Sequence, residues 1–120
     1  VLIAGVNDVY QGRAVEHVTD QLSAMFARAK QAGIPMIAGT IVPYNTATAE
    51  QNRKMHEINR WIRDRAADDP NVSFVDTRAA VADPDNPDRL FESPDGLHPS
   101  PAGYQRMAQA IEPILQQLLK

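Results

Sequence analysis

Short apolar runs alternating with helix-periodic segments set the tightest limit on how this chain can fold. Val1-Leu2-Ile3-Ala4, the nearly unbroken stretch from Ile34 to Val42, and Val72-Ser73-Phe74-Val75-Asp76 are each too short for a core helix and are bounded by Gly, Pro, Asn or Asp. Such runs read as buried strands. Between the first two, Val15, Val18, Leu22, Met25 or Phe26 and Ala29 recur at intervals of three and four, which predicts a helix over 14–32 closed by Gly33 and Pro35. Between the second and third, Thr48 and Gln51 have the spacing of a capping box, and Met55, Ile58, Ile62 and Ala66 mark one buried stripe with Trp61 at its margin. Strands joined through helices pair in parallel and cross over right-handedly. The order predicts one α/β domain over residues 1–120, with about three parallel strands and helices on both faces.

The remainder of the chain is a connector and a last helix. Asp83-Pro84-Asp85-Asn86-Pro87-Asp88 is expected to be a solvated acidic loop, since it lacks the ordered glycine and terminal glutamate of a calcium-binding loop. Ser100-Pro101 is a helix start, with Tyr104, Met107 or Ala108, Ile111, Ile114 or Leu115, and Leu118 as the inward face and a bend at Pro113. His17 and His56 fall off the buried stripes and are expected to be solvated. The 12 basic residues are spread along a chain of net charge −3, which argues against nucleic acid as a partner, and no apolar run is long enough to span a bilayer. There is no cysteine, hence no disulfide or thiolate metal site, and the compartment is left open. The first core strand starts at the first residue, without a methionine, so the natural protein is expected to continue upstream. Its absent neighbours would leave an unpaired sheet edge, suited to self-association or to a partner chain.

The chemistry concentrates in two places. Asp95-Gly96-Leu97-His98 precedes the last helix and puts an acid and a histidine three residues apart in a short loop. An Asp that fixes the tautomer of a His able to accept a hydroxyl proton makes up two members of a hydrolytic triad. Gly5-Val6-Asn7-Asp8 follows the first strand, at the carboxyl edge where open α/β sheets bind ligands, although a turn in which Asn or Asp bonds back to the chain explains the same residues. Tyr44 is a candidate to line a pocket at that edge, although packing beside the strand end explains an aromatic residue there equally simply. Asp76 lies there too, as a turn residue or as a support for a loop.

Gly5-Val6-Asn7-Asp8, followed some 85 residues later by Asp95-Gly96-Leu97-His98-Pro99-Ser100, resembles the SGNH hydrolases, the GDSL-type esterases and lipases. The resemblance implies the carboxyl-terminal part of a three-layer α/β/α, flavodoxin-like domain. It also implies that His98 is the general base, Asp95 its orienting acid and Asn7 an oxyanion-hole donor, with Gly5, Asp8, Gly96 and Ser100 structural around them. The substrate would be a small-molecule ester, with no metal or organic cofactor. The family's nucleophilic serine belongs to a Gly-Asp-Ser motif that this sequence lacks. Its four serines are Ser23 in a helix, Ser73 in a strand, Ser93 in a loop and Ser100 at a cap, and none of them is expected to replace the nucleophile. Two expectations follow. Either the complete parent is an esterase and this chain alone is inactive, or the chain is a non-catalytic α/β module that associates through its exposed sheet edge.

Overall fold

The computed structural model describes residues 1–120. The alternation of apolar runs produces a parallel pair, β1 (Met36–Gly39) and β2 (Val72–Val75), joined through the long helix α3 (Ala49–Asp68). The first run contributes a single bridging residue instead of a third strand. Leu2 N–H donates to Ile37 O at 2.7 Å and Leu2 O accepts from Gly39 N–H at 2.9 Å, on the side of β1 away from β2. Pairing ends there because Gly5, at φ 118°, turns the chain directly into the five-residue helix α1 (Val6–Tyr10). A Cβ at Gly5 would stand 3.0 Å from both Ile41 and Val18, so the left-handed turn and the close approach both call for glycine.

β1 is also shorter than the apolar run that encodes it. Beyond Gly39 the backbone is claimed by side chains: Asn59 of α3 accepts from Ile41 N–H at 2.7 Å and donates to Ile41 O at 3.2 Å. Thr40 donates its hydroxyl to Asp76 Oδ1 at 2.9 Å and accepts from Arg78 N–H at 2.8 Å. Thr40 N–H still donates to Val75 O at 3.2 Å and its carbonyl accepts from the Thr77 hydroxyl at 2.6 Å, whereas residues 41–44 stay largely buried outside the ladder, with Ile41 satisfied from α3.

The main core lies on the face of the sheet that carries Ala38 and Val72. Phe26 and Leu22 of α2 (Val15–Gln31) meet Met55, Ile58 and Ile62 of α3 there, and Trp61 stacks on Phe26 with centroids 6.0 Å apart. α3 begins with the expected capping box, Thr48 Oγ accepting from Gln51 N–H at 3.1 Å while the Gln51 side chain accepts from Thr48 N–H at 2.9 Å. After β2 come the short helix α4 (Thr77–Val81), two strands β3 (Ala82–Asp83) and β4 (Asn86–Leu90), and the last helix α5 (Pro101–Leu118), which packs against α4 and reaches β1 and β2.

Two expectations are corrected here. The acidic segment is an antiparallel hairpin, β3 with β4, in which Asp83 Oδ1 accepts from Asp85 N–H at 2.8 Å and Asn86 Oδ1 from Asp88 N–H at 3.0 Å. Pro84 and Pro87 are compatible with it because an edge ribbon of two strands has free N–H positions. On α5 only Gly103 is buried; Met107, Ile111 and Ile114 are half-buried, whereas Tyr104, Leu115 and Leu118 are 52%, 42% and 40% exposed. The stripe has the periodicity of a core face, and only part of it finds a partner. No helix is long and apolar enough to cross a membrane.

Ile58 is fully buried, so Ile58→Ala is expected to lower unfolding stability in urea by about 2–5 kcal/mol, whereas Leu118→Ala is expected to change it by no more than about 0.5 kcal/mol. Equal losses would mean that the α5 stripe is covered in solution.

Candidate active site

The loop before α5 is closed on itself by short hydrogen bonds. Asp95 Oδ1 accepts from the N–H groups of Leu97 and His98, each at 2.9 Å, and Asp95 Oδ2 accepts from His98 Nδ1 at 2.8 Å. Nδ1 carries the proton because the carboxylate can only accept, and Nε2 is left as the basic nitrogen. Ser93 Oγ donates to His98 O at 2.6 Å and accepts from Gly96 N–H at 3.0 Å, bracing the loop from its start to its end. The exit is fixed by Ser100, whose hydroxyl caps α5 by accepting from Gly103 N–H at 3.1 Å.

A neighbouring segment holds this loop in place. Asn45 N–H donates to Gly96 O at 2.7 Å, and Asn45 Oδ1 accepts from Leu90 N–H of β4 at 2.8 Å. Gly96 has φ 69°, and a Cβ there would lie 3.0 Å from the Asn45 side chain, so this contact depends on glycine. The role of Asn45 was not legible from the sequence, since its partners lie 45 and 51 positions away. Ser93, read there as simple loop polarity, is the brace of the acid–histidine turn.

Asp95 is exposed yet well below the ordinary aspartate value of 3.8. The backbone N–H of His98 is the largest cause, followed by the His98 ring and the N–H of Leu97; together they outweigh the small effect of burial. The carboxylate is therefore ionised whenever the imidazole is neutral and able to act as a base.

Asn7, Tyr44, Asp95, Gly96 and His98 line one cavity of about 660 Å³, with Ile3, Tyr10, Leu97, Tyr104 and Met107 supplying much of its apolar wall. Asn7 is exposed near the start of α1 and its side-chain amide is not engaged by any other group of the chain. Tyr44 is buried, edge-on to Tyr10 at 6.1 Å, and its hydroxyl has no partner; burial, and then the neighbouring Tyr10, push its ionisation above 10.0. Tyr104, expected in the core, stands at the cavity wall instead.

The other candidates sit elsewhere. Asp8 faces Arg13 at 3.7 Å and His17 at 3.8 Å and does not line the cavity. Asp76 caps α4 by accepting from Ala79 N–H at 3.0 Å. His56 is not simply solvated: its Nε2 donates to Asp88 Oδ1 at 2.7 Å, an oxygen shared with the buried Arg78 at 2.9 Å. None of Ser23, Ser73, Ser93 and Ser100 lines the cavity.

Comparison with known proteins gives one family. The profile of the GDSL-like Lipase/Acylhydrolase family matches residues 1–106. A solved GDSL-like lipase from Bacteroides thetaiotaomicron superposes with a TM-score of 0.83 at 21% identity, covering 98% of this chain and 62% of that one. A Bacteroides fragilis protein, provisionally termed an acylhydrolase, gives a TM-score of 0.85 at 21% identity with the same coverages, 98% and 62%. A Desulfitobacterium hafniense protein, provisionally termed lipolytic and of the G-D-S-L family, gives 0.76 at 24% identity over 93% of this chain and 62% of its own. The chain thus spans about three fifths of the length of these structures, and at such identities they show the fold. No curated protein sequence matches it significantly.

The depressed Asp95 carboxyl makes a signed prediction. Its contribution to stability is complete above the ordinary value of 3.8 and is lost as pH falls through the lower folded value. Carboxyl-carbon NMR is expected to show Asp95 still charged at a pH where ordinary aspartates are half protonated, and Ser93→Ala is expected to move its midpoint upward. An unchanged midpoint in that variant would remove Ser93 from the hold on the loop.

Proposed function

Because the chain belongs to the GDSL-like lipase/acylhydrolase family, we propose that this site, in the complete protein, hydrolyses a carboxylic ester through an acyl-serine intermediate. The observation that carries the reading is the 2.8 Å contact of Asp95 with His98 on the same cavity as the unengaged amide of Asn7. In this reading residues 1–120 are the carboxyl-terminal part of a three-layer, flavodoxin-like domain whose remaining segment brings a Gly-Asp-Ser serine to the cavity.

The placement of His98, Asp95 and Asn7 on one cavity supports the steps of this reading. His98 Nε2 takes the hydroxyl proton as the serine oxygen bonds to the ester carbon, and Asp95 stabilises the imidazolium through Nδ1. Asn7 donates to the oxygen that becomes negative in the tetrahedral intermediate, an interaction worth about 3 kcal/mol because it is made fully only when charge develops. Collapse expels the alcohol, which takes its proton from His98. Water then attacks the acyl-serine with His98 again as base, releasing the acid and restoring the serine. The cavity supplies no cationic side chain, which suits a neutral ester. Gly5 and Gly96 shape the two turns, Ser100 fixes the exit into α5, and Asp8 anchors α1 to the start of α2 through Arg13 and His17.

A second reading has its own support. The outer edge of Leu2 is unpaired, with Val1 68% and Ile3 36% exposed beside it, and the α5 stripe is partly bare. A module that self-associates through this edge would cover it.

Two measurements separate these readings. In a protein extended to include a Gly-Asp-Ser segment, turnover of p-nitrophenyl acetate is expected to fall at least about a thousandfold in His98→Ala and about a hundred- to a thousandfold in Asn7→Ala, while residues 1–120 alone show no turnover above buffer. An extended His98→Ala protein as fast as its parent would sink the esterase proposal. Light scattering on residues 1–120 is expected to give a multiple of 13.2 kDa if the edge associates; a stable monomer removes the second reading.

A further inference from the structure

The acid–histidine corner uses only part of the cavity in which it stands. His98 and Asn7 account for the ester group itself, and the rest of the roughly 660 Å³ has a composition of its own. All three tyrosines of the chain, Tyr10, Tyr44 and Tyr104, line it, together with Ile3, Leu97 and Met107 among others. Neither Lys nor Arg does. The one carboxylate, Asp95, is already held by the N–H groups of Leu97 and His98 and by the His98 ring. A ligand is thus offered apolar and aromatic contact and no free charge, which selects an uncharged group.

One polar atom in this wall is left over. Tyr44 is 2% exposed and its hydroxyl has no hydrogen-bond partner, and Arg78 Nε is the only other buried side-chain atom of the chain in that position. The Tyr44 ring belongs to the core cluster with Ile58 and Met55 of α3, so its hydroxyl does not swing out to water. An unpaired buried hydroxyl costs more than a made hydrogen bond contributes, and nothing within the chain offsets it. Beside it stands Tyr10, edge-on with ring centroids 6.1 Å apart and 66% exposed at the end of α1. Exposed side chains change rotamer within picoseconds to nanoseconds, so the neighbour of the buried hydroxyl is free to move aside for a ligand.

We propose that Tyr44 is a specificity residue of this cavity: its hydroxyl pairs with an oxygen beyond the ester group, a hydroxyl carried on a compact, uncharged and otherwise apolar acyl or alcohol part. The inference rests on the esterase reading and narrows its substrate. A plain alkyl chain fills the same apolar space but leaves the Tyr44 hydroxyl unpaired. A site with a buried polar group rejects the analogue that fails to pair with it more sharply than an apolar pocket rejects one methylene.

Binding needs no nucleophile, so residues 1–120 serve for the test. Methyl p-hydroxybenzoate carries the hydroxyl on the acyl side and p-hydroxyphenyl acetate carries it on the alcohol side. Each is titrated beside its counterpart with methyl in place of that hydroxyl, while the methyl groups of Ile3 and Met107 and the ring of His98 are followed by NMR. At least one hydroxy ester is expected to bind about fivefold or more tighter than its methyl counterpart, and the side that gains identifies which half of the ester faces Tyr44. Tyr44→Phe is expected to erase that preference and to leave binding of the methyl counterpart unchanged. Because it removes a hydroxyl without a partner, it is also expected to leave the melting temperature unchanged or raised. No preference on either side, a preference that survives in Tyr44→Phe, or a lowered melting temperature in that variant would overturn the proposal. The esterase reading fails separately. A preference erased by Tyr44→Phe, in a protein whose extended form does not turn over p-nitrophenyl acetate, upholds the Tyr44 contact and removes the hydrolysis, whereas turnover without any preference removes only the role of Tyr44.

Discussion

The paired hydrogen bonds between Asn59 and the backbone of Ile41 are the constraint on which the rest of this structure depends. By satisfying both polar groups of Ile41 from a helix, at 2.7 and 3.2 Å, they release the chain from the sheet while keeping it buried. A buried backbone without a ladder partner has to be paid for in this way, since an unmade hydrogen bond costs more than a made one contributes. The released segment carries Tyr44 into the cavity and Asn45 to the junction of β4 with the Gly96 turn. Thr40, just before it, joins Asp76 and Arg78 in one network. The position of the acid–histidine loop is thus set from the middle of the chain as much as from α5.

Charge is handled differently in the two polar regions. Asp95 is exposed and kept ionised by oriented N–H donors, an arrangement that is in place before any reaction and needs no reorganisation. Arg78 is buried, and burial lowers its pKa against the opposing pull of Asp88. Its guanidinium reaches Ile41 O at 3.2 Å and Asp88 at 2.9 Å, so it ties the hairpin to the segment that Asn59 also holds. Removing either partner of such a pair leaves a buried group uncompensated, which makes the hairpin part of the scaffold even though few of its side chains are buried.

Two apolar surfaces are incompletely covered. Leu2 bonds to β1 on one side only, and Tyr104 and Leu118 lie exposed on α5. Both the esterase proposal and the association proposal give the sheet edge a covering, from the same chain or from another. The fold relatives, of which this chain spans about three fifths, are compatible with the first.

The sequence by itself determined the three long helices, α2, α3 and α5, and the local turns. The three-and-four periodicity of α2 and α3, the Thr48/Gln51 box and the Ser100 cap depend on neighbours within a turn or two, and the Asp95 to His98 contact spans three residues. Only the tertiary structure decided how far each strand runs, because a ladder ends where a competing partner appears: Asn59 for β1, the Gly5 turn for the first run. It likewise decided that the acidic segment pairs as a hairpin, that half of the α5 stripe is left bare, and that His56 meets Asp88 across 32 residues. Local hydrogen bonds and helix periodicity are written in adjacent residues, whereas burial and long-range pairing depend on what the rest of the chain brings alongside.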